Sequence, residues 1–154
     1  MYKRYLAAVL IIFAVIGAVV YARAHAEASP INVHAVPMKN ISIGKIRLSV
    51  EVASTDAERE QGLSDRASLR DGTGMLFVFS KVDSYGFWMK DMHFSIDIVW
   101  INSDGVIAGI DKNVSPDTYP AAFYPPSPVP YVLEVPAGFA DSHGVAVGSA
   151  VSGI

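Results

Sequence analysis

Three ionisable side chains stand inside stretches that otherwise read as strand core: Lys90, Asp97 and Glu134. In Gly86-Phe87-Trp88-Met89-Lys90-Asp91 an extended backbone puts Trp88 and Lys90 on one face and Phe87, Met89 and Asp91 on the other. A lysine in such company needs a partner or a path to water. Across residues 94–101, Phe94, Ile96, Ile98 and Trp100 alternate with Ser95, Asp97, Val99 and Ile101. An ionised carboxylate at Asp97 is costly there unless a cation or backbone N–H groups hold it, so one of these is its expected partner. Residues 131–135 set Tyr131, Leu133 and Val135 opposite Val132 and Glu134.

Two chemistries follow from these residues. An aromatic beside a cation next to a stiff loop suits a small-ligand or peptide cleft, formed by Trp88, Lys90 and the proline-aromatic segment 115–130 that carries Tyr119. Alternatively, Asp97 and Glu134 form a carboxylate pair for a hydrolase or lyase, with Lys90 tuning their pKa values. That pairing requires both groups within several ångströms of one substrate. Against both stands a purely structural reading, in which Trp88 is core and Lys90 neutralises Asp97 or Glu134. Arg66, in the irregular stretch 63–70, is either a half-buried guanidinium that binds a carboxylate or a surface residue.

Other chemistries lack their residues. The chain holds no Gly-x-Ser-x-Gly, no His-Glu-x-x-His and no phosphate-cradling glycine loop. It has no cysteine, which removes thiolate catalysis, zinc-cysteine sites and iron-sulfur clusters. Asn102-Ser103-Asp104-Gly105 is too short for a calcium loop and reads as a turn. His34 falls in a linker without convergent partners, and His143 before Gly144 suits the carbonyl end of a short helix. No catalytic residue, cofactor or metal ligand is assigned.

The elements that must position the candidates are mostly strands. Residues 41–52 alternate as one half-buried strand, with Ile46, Leu48, Val50 and Val52 opposite Lys45, Arg47, Ser49 and Glu51. Thr55 and Glu58 form a capping box for a two-turn helix that Gly62 ends. Residues 75–79 are apolar on both faces, as in a central strand. Asn102-Ser103-Asp104-Gly105 joins the 94–101 strand to an antiparallel return at 106–110. Segment 115–130 holds six of the nine prolines and reads as a rigid flap over one end of the sheet. After Pro136 come a brief helical turn around Phe139 and Ala140 and a last short strand.

The chain has 154 residues, enough for one domain with one core. Its start, MYKRYLAAVLIIFAVIGAVVYARAHAEASP, places Lys3 and Arg4 before an uncharged run and small residues at Ala22, Ala24 and Ala26. This is the pattern of a secretory signal cut after Ala24 or Ala26. The rival is a retained anchor, since residues 5–21 reach the lower edge of a membrane span. Either reading puts the domain outside the cytoplasm, periplasmic or extracellular, with membrane contact only through an uncleaved N-terminal segment. Residues 27–40, with Pro30 and Pro37, form a linker, and the domain occupies 41–154. Loss of residues 1–26 leaves 9 basic against 15 acidic side chains, a net charge of −6, which disfavours nucleic acid as a partner.

Gly62-Leu63, Gly74-Met75-Leu76-Phe77-Val78-Phe79, Phe87-Trp88-Met89-Lys90, Asp97-Ile98, Asp104-Gly105, Tyr131-Val132-Leu133-Glu134-Val135, Ala137-Gly138 and Gly144-Val145 together resemble the domain-of-unknown-function family numbered 192. The resemblance spans roughly residues 43–151. It implies a single compact, mostly β domain, an antiparallel β-barrel or β-sandwich with one or two short helices, often exported and without an established activity. The family's recurrent polar positions fall on Arg66, Lys90, Asp97 and Glu134. The chain departs from the family pattern at Ser64-Asp65, at Asp91-Met92 and at Ser149. The expected function is an extracytoplasmic binding or accessory domain with a small ligand or a protein as partner. Export with cleavage predicts a mature N-terminus at His25 or Glu27 by mass spectrometry, whereas an intact Met1 in the membrane fraction identifies an anchor.

Overall fold

The computed structural model describes residues 37–154. The export segment, His34 and most of the linker lie outside the described residues. Nine strands are present among them: β1 Met38–Ile43, β2 Ile46–Ala53, β3 Thr73–Asp83, β4 Phe87–Trp88, β5 Ile96–Ile101, β6 Ile107–Val114, β7 Ala122–Phe123, β8 Val129–Pro136 and β9 Val151–Ser152. Two short helices, α1 Asp56–Gln61 and α2 Phe139–His143, and a 3₁₀ turn at Pro116–Thr118 complete the elements.

Seven strands form one curled sheet in the order β6-β5-β8-β3-β2-β1-β9, and β4 pairs with β7 in a separate ribbon. Every pair is antiparallel except β2 with β3, which run parallel because α1 and the following loop carry the chain across between them. The chain's last residues join the sheet's two edges at one end. Val151 N–H donates to Gly105 O at 2.7 Å, Ile107 N–H to Ser149 O at 3.0 Å, and Gly44 N–H to Ala150 O. These bonds satisfy edge groups that would otherwise face a neighbour or solvent unpaired.

Strand alternation divides the core in two. On the face that receives α2, Leu76, Val99, Ile101, Leu133 and Val135 pack with Phe139 and Ala140. On the opposite face, which α1 and its following turn approach, Met75, Phe77, Ile98, Trp100 and Val132 pack with Leu63, Met89 and Met92. Strand β3 is therefore apolar on both faces as expected, and the alternation read for β5 and β8 holds residue by residue. So do the capping box of Thr55 and Glu58, the turn at Gly105 with its φ of 72°, and the position of His143, whose Nδ1 lies 3.0 Å from Phe139 O in the last turn of α2.

Three expectations are corrected. Residues 41–52 are not one strand: Gly44 turns the chain, and β1 folds back on β2 with Ile41 opposite Leu48. The domain also begins earlier than residue 41, since β1 starts at Met38 within the stretch read as linker. Segment 115–130 is not loop throughout, because Ala122 and Phe123 form β7 against β4. Alternation with few turn residues hid the first break, and proline density hid the last.

Asp97 is wholly buried, and its carboxylate organises one end of the sheet. One oxygen accepts N–H bonds from Asn113 at 2.8 Å and Gly138 at 3.1 Å, and the other accepts from Ala140 at 2.9 Å. Asn113 belongs to a bulge in β6: Lys112 and Asn113 together oppose Asp97, between the pairs Ile96 with Val114 and Ile98 with Asp111. Gly138 precedes α2 and has no side chain to cap it, so Asp97 supplies the cap from another strand. Of the two kinds of partner expected for this carboxylate, a cation or backbone N–H groups, it has the second. Asp97→Ala strands three N–H groups and is expected to cost about 3 kcal/mol or more in urea unfolding. Asp97→Asn, which keeps one acceptor oxygen, should fall between that variant and the native chain.

A candidate ligand cleft beside Glu134

Glu134 lies on β8 in the middle of the sheet, opposite Met75 of β3 and Ile98 of β5. Alternation turns it to the face of Val132, Met75 and Ile98, and only 6 % of it is exposed. No described residue donates a hydrogen bond to its carboxyl, whose surroundings act through burial and through the charge of Arg66 alone. Burial pushes its pKa up from the usual 4.5 to about 8, and the Arg66 guanidinium offsets only part of that rise.

The carboxyl opens on a cleft of about 330 Å³. Its apolar lining comes from Leu63, Phe77, Phe87 and Met92, and its rim carries Arg59, Glu60, Gln61, Ser64, Tyr85 and Trp88. A chain of edge-to-face contacts fixes the aromatic wall: Phe87 meets Phe77 at 4.9 Å and Trp100 at 5.5 Å between ring centroids. Tyr85 stacks on Phe79. Trp88, 55 % exposed, offers its ring to solvent at the rim.

The two arginines near Glu134 already have partners. Arg66 grips Glu51 with both terminal guanidinium nitrogens, at 2.5 and 2.7 Å, which raises the Arg66 pKa and lowers that of Glu51. Glu51 stands opposite Met75, so Glu51, Met75 and Glu134 form one row across three strands. At ordinary strand spacing the two acids are about 10 Å apart along that row. Arg59 donates to the Val78 carbonyl at 2.8 Å and to Ser54 O, pairs with Asp56, and lies over the Phe79 ring at 5.1 Å.

The sequence-predicted site residues therefore separate. Trp88 and Glu134 meet in the cleft, with Arg66 close enough to act on Glu134 by charge. Lys90 is not a core lysine. Its side chain is 56 % exposed, and its nearest carboxylate is its neighbour Asp91 at 3.9 Å. The two-residue strand β4 ends at Trp88, so the extended backbone assumed for Lys90 stops before reaching it. Tyr119 is half exposed at the end of the 3₁₀ turn and does not line the cleft. Segment 115–130 supports the cleft instead of facing it: β7 pairs with β4, and the Tyr124 ring lies against Gly86, where a Cβ would come within 2.9 Å.

Asp97 and Glu134 sit on adjacent strands but face opposite sides of the sheet, since Asp97 pairs with Val135 and Ile98 with Glu134. One substrate cannot touch both carboxyls in the folded chain. Sequence reasoning missed Arg59, Tyr85, Phe79 and Met92 as cleft residues, and it left Arg66 without its partner Glu51. The wet face of β2 held the one usable signal, an outward acid available to a guanidinium. Arg59 was legible only as a solvated helix position.

A curled, mostly β domain with an acid-floored aromatic cleft on one sheet face is the class defined by these features. The family model described as uncharacterized ACR, COG1430 (DUF192) matches residues 34–153, and the chain belongs to that family. Among solved structures, the chain is similar to a Sinorhizobium meliloti 1021 protein provisionally named a transcription regulator, at 32% identity and a TM-score of 0.73 over 77% of this chain and 95% of that one. It is also similar to a protein of unknown function from Novosphingobium aromaticivorans, at 28% identity and a TM-score of 0.72 over 79% of this chain and 89% of that one. No curated protein matches.

The raised pKa of Glu134 makes stability depend on pH. The folded state keeps the proton up to about pH 8 while the unfolded chain releases it near 4.5, so the unfolded state binds fewer protons in between. Folding stability should therefore fall as pH rises from about 4.5 to about 8, by at most roughly 1.4 kcal/mol per unit from this group. Glu134→Gln should flatten that slope in urea unfolding and be the more stable protein at pH 8. An unchanged slope in the variant would remove Glu134 as its source.

Proposed function

We propose that the chain is an extracytoplasmic binding domain that takes a small ligand, or the end of a peptide, into the cleft between the α1 turn and the Tyr85 to Trp88 segment. One observation carries this reading: a largely buried carboxyl that no described residue hydrogen-bonds, and whose oxygens still reach solvent, opens on an aromatic-walled cleft of ligand size. A group like this is destabilising to keep, and a bound ligand that supplies its missing contacts offsets the cost. The N-terminal charge pattern and apolar run support the extracytoplasmic placement.

Catalysis has weaker support, because the two carboxyls that could divide acid and base roles face opposite sides of the sheet. The acidic balance of the sequence, −3 for the full chain, likewise favours ligands other than nucleic acid.

The test is a thermal-shift panel of sugars, short peptides and amines on the full-length chain, followed by titration of the hits against two variants. Trp88→Ala removes an exposed rim ring, so it should weaken binding about tenfold while changing stability by roughly 0.5 kcal/mol or less. Tyr119→Ala, outside the cleft, should leave affinity as it is. Binding that follows Tyr119 and ignores Trp88, or a panel in which nothing shifts the melting temperature, would overturn the reading.

A further inference from the structure

The cleft's charge balance selects among ligands. The carboxyl and guanidinium groups that line it belong to Arg59, Glu60 and Glu134. The Arg59 guanidinium is committed to Ser54 O, Val78 O and Asp56, and one of its faces covers Phe79. Arg66, the other cation that acts on Glu134, is held bidentate by Glu51. The β3 and β5 residues beside Glu134 are the uncharged Met75 and Ile98. What is left uncompensated is acidic: Glu60 at the rim and Glu134 at depth.

The open aromatic surface has the same preference. Trp88 presents a ring at the rim, and the half-buried Phe87 and the buried Phe77 line the cleft as well. Aromatic faces attract cations through their quadrupole, and most strongly where water is excluded. An anion entering here would meet two carboxyls and no free cation. A neutral ligand would leave the quadrupoles unused.

Resting on the cleft as the binding site, we infer that its ligand carries an organic ammonium group, seated against the Glu134 carboxylate and enclosed by Trp88, Phe87 and Phe77. On binding, the Glu134 O–H bond breaks and its proton leaves to solvent, so that an ammonium–carboxylate pair replaces a neutral acid. The other acidic and basic side chains near it are Arg59, Glu60 and Tyr85 in the cleft and the paired Arg66 and Glu51 beside it. The raised pKa of Glu134 makes this exchange visible, because the proton is still bound at neutral pH.

The probes are choline and n-butylammonium, each set against a neutral isostere, 3,3-dimethylbutan-1-ol and n-butanol. Titrations use the full-length chain in non-ionic detergent and amine-free phosphate, from pH 6 to pH 9. At least one cation should bind, with affinity rising about tenfold per pH unit up to about pH 8 and then levelling, as release of one proton requires. The neutral isosteres should bind at least tenfold more weakly at pH 8, with no such slope. Glu134→Gln should abolish the slope and weaken cation binding at pH 8 at least tenfold. The isostere comparison uses the native chain, so it stands even if that variant fails to fold.

Isosteres that bind as well as the cations, or cation affinity that is flat with pH and indifferent to Glu134→Gln, would overturn the ammonium inference. If the binding found is still lost in Trp88→Ala, the cleft survives as the site for a ligand of another class. Failure of both cations to bind at any pH overturns the inference by itself, and the wider panel then decides separately whether the cleft binds anything.

Discussion

The Asp97 carboxylate holds together parts of the chain that have no other reason to meet. Strand β5 is buried along its whole length on both faces, and Asp97 is its one acidic or basic side chain. A charge in that position persists only if donors surround it, and the donors come from three places: the β6 bulge at Asn113, the left-handed Gly138 and the first turn of α2 at Ala140. The bulge relieves a register that would otherwise set one residue against Asp97, and α2 starts where the carboxylate can cap it. α2 in turn sends Phe139 and Ala140 into the core and delivers the final residues that join the sheet's edges. A five-residue helix would not persist alone in water, so its place depends on this capping and packing.

One residue away across the ladder, Glu134 has the same functional group and the opposite fate. Both side chains are carboxylates buried within β strands, and sequence composition does not tell them apart. Strand register does. Asp97 turns to the face where a bulge and a helix start supply N–H groups, whereas Glu134 turns to the face of Met75, Ile98 and Val132 and receives none. The consequence is electrostatic: burial raises the Glu134 pKa to about 8, and Arg66, already engaged by Glu51, counters only part of it. An aliphatic residue would be the more stable choice there, and this is the ground on which the cleft is proposed as a binding site.

What was legible in the sequence was whatever depends on local period or local capping. Alternation in β5 and β8 assigned the residues from Ile96 to Ile101 and from Tyr131 to Val135 to their faces, the run from Met75 to Phe79 was apolar on both faces as a central strand is, and Thr55 with Glu58 announced α1. The family followed from contiguous motifs for the same reason. Lys90 and the Asp97–Glu134 pair were misread because their meaning rests on non-local facts. Lys90 lies beyond the end of a two-residue strand whose partner, β7, was concealed among prolines. The carboxylate pair looked plausible until the register of β5 on β8 set the two groups on opposite faces. The partners of Arg66 and Arg59 were equally hidden, since Glu51 and the Val78 carbonyl reach them only once β2 and β3 run parallel.

That parallel crossover is also what makes a cleft possible. An antiparallel hairpin between β2 and β3 would need only a tight turn, leaving the face around Glu134 open to water and the carboxyl ordinarily solvated. A parallel pair requires a longer connection, and here it carries α1, Leu63 and Arg66 across that face. The segment from Tyr85 to Met92 is held toward the same connection from the other strand end: Ser64 Oγ donates to Lys90 O at 3.0 Å and Asp65 N–H to Asp91 O at 2.8 Å. Two loops tied to each other thus exclude water from Glu134 without sealing it, and the β4–β7 ribbon stiffens the aromatic wall from outside. Depth, aromatic lining and the raised pKa are in this sense one property, set by a crossover that the topology demands. The acid is buried because the loops are tied, and it stays reachable because the α1 turn and the Phe87–Trp88 strand meet at their ends and leave the space between them unfilled.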